Sequence, residues 1–208
     1  MTKIIGLIGD EGTGKTLMTV ILTAMFKVTN KNIEIFSNMR SLKIKHYDFN
    51  TTFLTMINNI KLDRSLLNSN RLAIVDEVYR YMDSRQSMTK RNIKLSQELV
   101  QIRKSRFNLI YTSVLFEMID LRLRSISDVI IHCKDYDPES NKLKYNILNK
   151  YGIIYAKKMI TVNPYVYELY DTYEHIGNND LEGITDIMNN KPNENDIDTE
   201  NKEDLKVF

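Results

Sequence analysis

A single cysteine, Cys133, occurs in 208 residues, so no disulfide closes within the chain. The three histidines, His46, His132 and His175, are scattered, and with Cys133 they form no metal-ligand spacing. Both observations fit a reducing, cytoplasmic setting. Glycine and proline are scarce, at 7 and 3 residues, which argues against a linker-rich or fibrous chain. No apolar run approaches the roughly 20 residues of a membrane-spanning helix, so a soluble protein with no span of its own is expected. The first apolar run is short and leads into a glycine-containing loop, unlike a secretory signal.

What is present suits one domain with a sizeable core: 42% of the residues are hydrophobic. The formal charge of +2 is unevenly spread. Residues 178–208 carry −6, which leaves +8 on residues 1–177. A basic body suits a polyanionic partner, or is simply a lysine-rich surface. The acidic, Asn-rich stretch has few large apolar groups and is expected to be a disordered tail.

The most informative segment follows the apolar run Ile4-Ile5-Gly6-Leu7-Ile8. Gly9 to Thr16 reads G-D-E-G-T-G-K-T, the phosphate-binding loop pattern. Gly12 and Gly14 let backbone N–H groups turn toward the β- and γ-phosphates of a nucleotide. Lys15 adds a positive charge there, and Thr16 offers a hydroxyl to Mg²⁺. The helix that starts near Leu17 presents its N-terminus to the same anion. The nucleotide-binding stretch is thus Gly9, Asp10, Glu11, Gly12, Thr13, Gly14, Lys15, Thr16 and Leu17, and residues 1–177 read as one phosphate-loop domain.

Beyond it, apolar spacing predicts strands over 33–37, 71–76, 108–113 and 128–133, with helices over 17–28, 52–59, 95–106 and 116–126. Residues 86–92 read as a polar loop. Lys144 to Leu148 and Gly152 to Ala156 alternate weakly, as an edge hairpin would. Alternating strands and helices imply an α/β fold with a mostly parallel sheet flanked by helices. In such sheets ligands collect at the C-terminal strand ends.

L-A-I-V-D-E at Leu72 to Glu77 places two acids at such an end. Asp76 can hold the hydration shell of Mg²⁺, and Glu77 can orient a water for attack on the γ-phosphate. Both could instead merely end a strand and cap the next helix. A strand and helix intervene between the loop and this acid pair, as in motor-type ATPases with a catalytic glutamate. Thr112 and Ser113 end the next strand, where Ser113 is the candidate γ-phosphate sensor. Arg103, Arg122 and Arg124 are candidates for an arginine finger reaching a neighbouring subunit's nucleotide, each against the plainer reading of a surface cation. Tyr145, Tyr151, Tyr155, Tyr165, Tyr167, Tyr170 and Tyr173 lie among Lys144, Lys150, Lys157 and Lys158. That mixture suits base stacking on a nucleic acid or simple edge-strand packing.

The order of these segments resembles the zonula occludens toxin-like ATPases of filamentous phages. More broadly it resembles the FtsK/HerA superfamily with its viral genome-packaging ATPases. The likeness runs over about residues 1–135. It rests on G-D-E-G-T-G-K-T, I-E-I-F-S-N-M-R-S-L, L-A-I-V-D-E-V-Y-R-Y-M-D-S-R, I-R-K-S-R-F-N-L-I-Y-T-S and M-I-D-L-R-L-R-S-I-S-D-V-I-I. The resemblance implies a RecA-like phosphate-loop fold and ATP with Mg²⁺ as cofactors. It also implies nucleotide binding by Gly9 to Thr16, Mg²⁺ support by Asp76, catalysis by Glu77 and a sensor near Ser113. The family's usual sensor is glutamine, and Thr112-Ser113 stands in its place. A homo-oligomeric ring, a hexamer, that moves double-stranded DNA is implied as well, with a capsid or membrane protein as recruiting partner. The toxin-like branch carries a membrane span after its ATPase domain, so its absence here favours the packaging branch. The expected activity is ATP-driven DNA translocation. A virion-assembly or secretion ATPase acting on protein, a small-molecule or nucleotide kinase and a non-hydrolysing nucleotide-binding switch remain alternatives.

Overall fold

A computed structural model describes residues 2–82 and 90–170. Its centre is β1 (Ile4–Ile8), five consecutive buried residues. A strand covered on both faces has no solvent side to alternate with, hence the unbroken apolar run. β1 pairs in parallel with β5 (Phe107–Ser113) on one side and β6 (Val129–Asp137) on the other. Beyond β5 lie β4 (Arg71–Val75), β2 (Glu34–Ser37) and the two-residue β3 (Tyr47–Asp48), all parallel. Beyond β6, β7 (Lys142–Leu148) and β8 (Ile154–Thr161) pair antiparallel. Among the described residues the sheet has eight strands in the order β3-β2-β4-β5-β1-β6-β7-β8.

Helices cover both faces. α1 (Lys15–Thr29) places Leu17, Met18, Val20 and Leu22 against Leu7, Leu72, Ile74, Ile110 and Ile131. The opposite face, with Ile4, Ile8, Val75, Leu109 and Tyr111, takes three helices. These are α2 (Phe49–Leu62) through Phe53 and Ile57, α4 (Lys90–Val100) through Leu95 and Leu99, and the short α5 (Leu121–Ile126) through Leu123. A one-turn α3 (Tyr79–Met82) follows β4. The expected α/β, mostly parallel sheet is therefore the observed one.

α1 and α2 run longer at both ends than the expected 17–28 and 52–59, and the other two expected helices are broken. The one expected over 116–126 is a 3-10 turn at Phe116–Met118 followed by a separate α5. The Asp120 side chain accepts from Arg122 N at 2.8 Å, which starts the helix anew at that cap. The one expected over 95–106 begins at Lys90 and stops at Val100; a 3-10 turn, Ile102–Ser105, then ends on Arg106 at φ 55°. Lys90 to Asn92, expected in a loop, are thus helical, while 83–89 lie outside the described residues, as do Tyr173, His175 and the acidic stretch 178–208. The expected hairpin is β7–β8, longer than its sequence alternation suggested, and β6, expected to end at Cys133, bulges between Cys133 and Asp135 and runs on to Asp137 beside β7. No helix among the described residues is long and apolar enough to cross a membrane.

Candidate nucleotide site

β1, β4 and β5 run parallel, so Gly9, Asp76 and Thr112 emerge at the same edge of the sheet. β5 lies between the loop strand and the acid strand. The loop is wedged against β6: a Cβ on Gly9, whose φ is 145°, would stand 2.4 Å from the Cys133 carbonyl oxygen. Gly14 caps α1 in the left-handed region at φ 89°. Within the loop the Thr13 hydroxyl donates to the Asp10 carbonyl at 2.7 Å. The Lys15 ammonium donates to the carbonyls of Gly9 and Asp10 at 2.7 and 2.8 Å, which holds it across the loop's concave side. No acidic residue occupies the first turn of α1, so its positive end is unopposed. Leu17 is core, so only its backbone is available to a ligand. Burial pushes the neighbouring Cys133 thiol up to about 12, against the opposing charge of Lys15.

The acids are organised by two residues of neighbouring strands. The Thr112 hydroxyl donates to Asp76 Oδ1 at 2.5 Å and accepts from the Glu77 backbone N–H at 2.8 Å. Its carbonyl accepts from Val78 N at 2.9 Å. On the other side Asn38 brackets the Asp76 backbone, accepting from its N–H at 2.7 Å and donating to its carbonyl at 2.9 Å. Glu77 itself is left-handed, at φ 53°. Its carboxylate is ion-paired with Arg80 of α3. Tyr79 stands beside both: burial raises its phenol, Arg80 opposes the rise and Glu77 adds to it. Asn38, Arg40, Asn50, Glu77, Arg80 and Tyr81 line a cavity of about 510 Å³ on the side of the acids away from the loop.

The strand-end residue that meets the acids is therefore Thr112 and not Ser113. Successive strand residues face opposite sides. Thr112 shares the α1 side with Asp76, whereas the buried Ser113 hydroxyl donates to the Leu115 carbonyl at 3.0 Å. Replacing Thr112 with valine keeps the shape and strands Asp76 Oδ1 and the Glu77 N–H. Loss of a buried hydrogen-bond partner predicts destabilisation by about 1–3 kcal/mol, read as a lower urea midpoint at unchanged slope.

The candidate arginines are dispersed. Arg103 sits at the far edge of the sheet, where it donates to the carbonyls of Thr2 and Ile126 at 3.2 and 2.8 Å and to Asp128 at 2.8 Å. It ties the start of β1 to the start of β6, and a finger role would require giving up all three bonds. Arg122 pairs with Asp120 at 2.8 Å. The Arg124 guanidinium lies over the Phe116 ring, 4.6 Å from its centroid.

The donor set suits Mg²⁺. Asp76 Oδ1 is engaged by Thr112, and its second oxygen accepts no hydrogen bond among the described residues. Those residues contain no group of three or more His, Cys, Asp or Glu able to hold a metal alone. Mg²⁺ needs no such cage, since it keeps waters and takes one or two protein oxygens beside nucleotide phosphates.

No family model matches the chain, and no curated protein matches its sequence. Solved structures do match. The N-terminal domain of zonular occludens toxin from Neisseria meningitidis is 22% identical with a TM-score of 0.55, over 82% of this chain and all of that one. The genome packaging NTPase B204 of Sulfolobus turreted icosahedral virus 2, in complex with AMP, is 14% identical with a TM-score of 0.52, over 76% of this chain and 97% of that one. The same NTPase in complex with ATP-gammaS is 15% identical with a TM-score of 0.51, over 75% and 97%.

Proposed function

We propose that this chain, which shares a P-loop NTPase fold with those structures, is an ATP-hydrolysing motor of the FtsK/HerA type that translocates double-stranded DNA, in viral genome packaging. The observation that carries it is the meeting of Lys15, Asp76, Glu77 and Thr112 at one sheet edge, with β5 between the loop strand and the acid strand. Backbone N–H groups of Gly9, Asp10, Glu11, Gly12, Thr13 and Gly14 wrap the phosphates, and Lys15 neutralises the β- and γ-phosphate oxygens. Thr16 and Asp76 are the residues that would hold Mg²⁺, which would supply positive charge to offset that developing on the phosphates. Glu77 orients and deprotonates the attacking water. Thr112 fixes both acids and, from that position, is the candidate γ-phosphate sensor beside Ser113. Subunits assemble into a homo-hexameric ring in which Arg122 or Arg124 completes the neighbour's site, and a capsid or membrane protein recruits the ring. The packaging role is favoured by the likeness to a genome packaging NTPase and by the +8 charge of residues 1–177.

The test is steady-state ATP hydrolysis by the purified chain, with and without linear double-stranded DNA. A rate that rises with DNA and vanishes in Glu77→Gln is the expected result. Hydrolysis indifferent to DNA would replace the translocase with an assembly ATPase acting on protein.

A further inference from the structure

A bound triphosphate has two ends, and the acids fix which way each points. Asp76 and Glu77 lie on the β5 side of β1, so the γ-phosphate end points there. The nucleoside end leaves on the other side of β1, over β6 and the start of α1. β6 runs parallel to β1, so its last residues and the turn into β7 rise at the loop's edge of the sheet. They press on the loop: a Cβ on Gly14 would stand 2.6 Å from Leu143 Cδ1 and 3.3 Å from Tyr136 Cβ. The 3-10 segment Pro164–Leu169 contacts α1 and brings Tyr167 to Tyr136, with ring centroids 6.4 Å apart. Both rings are half-buried.

The polar groups of this corner leave one donor over. The Tyr136 and Tyr167 hydroxyls are hydrogen-bonded to each other. Asn141 Oδ1 accepts from the Tyr167 hydroxyl at 3.1 Å and lies 3.4 Å from that of Tyr136. Two phenols carry two protons, so both are spent within the cluster. The Asn141 N–H₂ has no acceptor among the described residues. Asn141 is left-handed at φ 53°, and its carbonyl accepts from the Val162 N–H at 2.7 Å, which fixes the backbone that carries the amide. Aromatic surface beside one fixed N–H₂ donor is chemistry for a flat ring with nitrogen acceptors on its edge. We propose that this corner is the base subsite: a purine of the bound nucleotide lies against the Tyr136 and Tyr167 rings and accepts from Asn141 Nδ2. The inference rests on the nucleotide-binding part of the reading above and is independent of the DNA substrate.

Calorimetric titration of the full chain with ATP and with tripolyphosphate, each with Mg²⁺, tests this. Tripolyphosphate has the phosphates and no base, so it reads the loop alone. The parent is expected to bind ATP at least tenfold more tightly than tripolyphosphate. Asn141→Gly keeps the left-handed turn and deletes the amide. It is expected to weaken ATP binding about three- to tenfold. Tyr167→Leu removes one ring and is expected to weaken it about tenfold. Tripolyphosphate affinity is expected to stay at the parent's value in both variants. Equal losses for the two ligands would make the cluster a prop for the loop and overturn the subsite. Unchanged ATP affinity in both variants would overturn it as well. If the parent binds ATP no more tightly than tripolyphosphate, the phosphate loop stands and the subsite fails. If the parent binds neither, the nucleotide reading fails and the subsite with it.

Discussion

Glu77→Gln is expected to lower ATP turnover by about 100- to 10,000-fold while nucleotide affinity stays within a factor of a few. Glutamine has almost the shape of glutamate and accepts a hydrogen bond, but it cannot take a proton at neutral pH. The backbone that presents the side chain does not depend on it. The turn is held by the Thr112 hydroxyl and carbonyl, which accept from the N–H groups of Glu77 and Val78. The substitution also dissolves the Arg80 ion pair, an exposed contact worth little to stability. Single-turnover hydrolysis beside equilibrium binding of a fluorescent ATP analogue separates the two effects. Parental turnover in the variant would remove Glu77 from catalysis; lost binding would make it structural.

The second large effect is expected from Lys15→Ala: turnover lower by about 100- to 1,000-fold and nucleotide binding weaker by at least tenfold. Its ammonium already sits across the loop, on the carbonyls of Gly9 and Asp10. A phosphate bound there meets a cation whose position needs little rearrangement. Arginine is not expected to rescue. Its planar fork is wider than the ammonium that the Gly9 and Asp10 carbonyls hold. Isothermal titration with ATP, with and without Mg²⁺, reads the loss. Undiminished affinity in Lys15→Ala would mean that the backbone N–H groups alone bind the phosphates.

Much of this was legible in the chain, for identifiable reasons. β1 and β4 are covered on both faces, so their unbroken apolar runs announced them, and the loop and acid pair stand directly after. That Thr112 rather than Ser113 meets the acids is not legible in the sequence, because a polar pair at a strand end does not reveal its phase. Which hydroxyl faces the acids depends on the side to which α1 packs, a tertiary fact. Asn38 was visible as a polar residue at a strand exit, yet its bracketing of Asp76 arises only because β2 lies beside β4. Arg103 looked like one of several cations closing a helix; its partners come from segments more than 20 residues away. The helix over 116–126 split because Asp120, which periodicity treats as one more polar position, caps a new start.

The placement of β1 also has a consequence for how the chain is made. Both of its neighbours arrive late: Ile4 pairs with Leu109, and Ile5 with Val129. At ribosomal rates of 5–20 residues per second, the first strand waits roughly 5 to 25 s for partners. During that interval its apolar surface is a ready client for chaperones and an edge for misassociation. The phosphate loop cannot take shape in a nascent chain that ends before β6, because Gly9 seats on the Cys133 carbonyl and donates to that of Val114. Nucleotide therefore cannot help the first half of the protein to fold. It stabilises only a sheet that is already closed around its oldest strand.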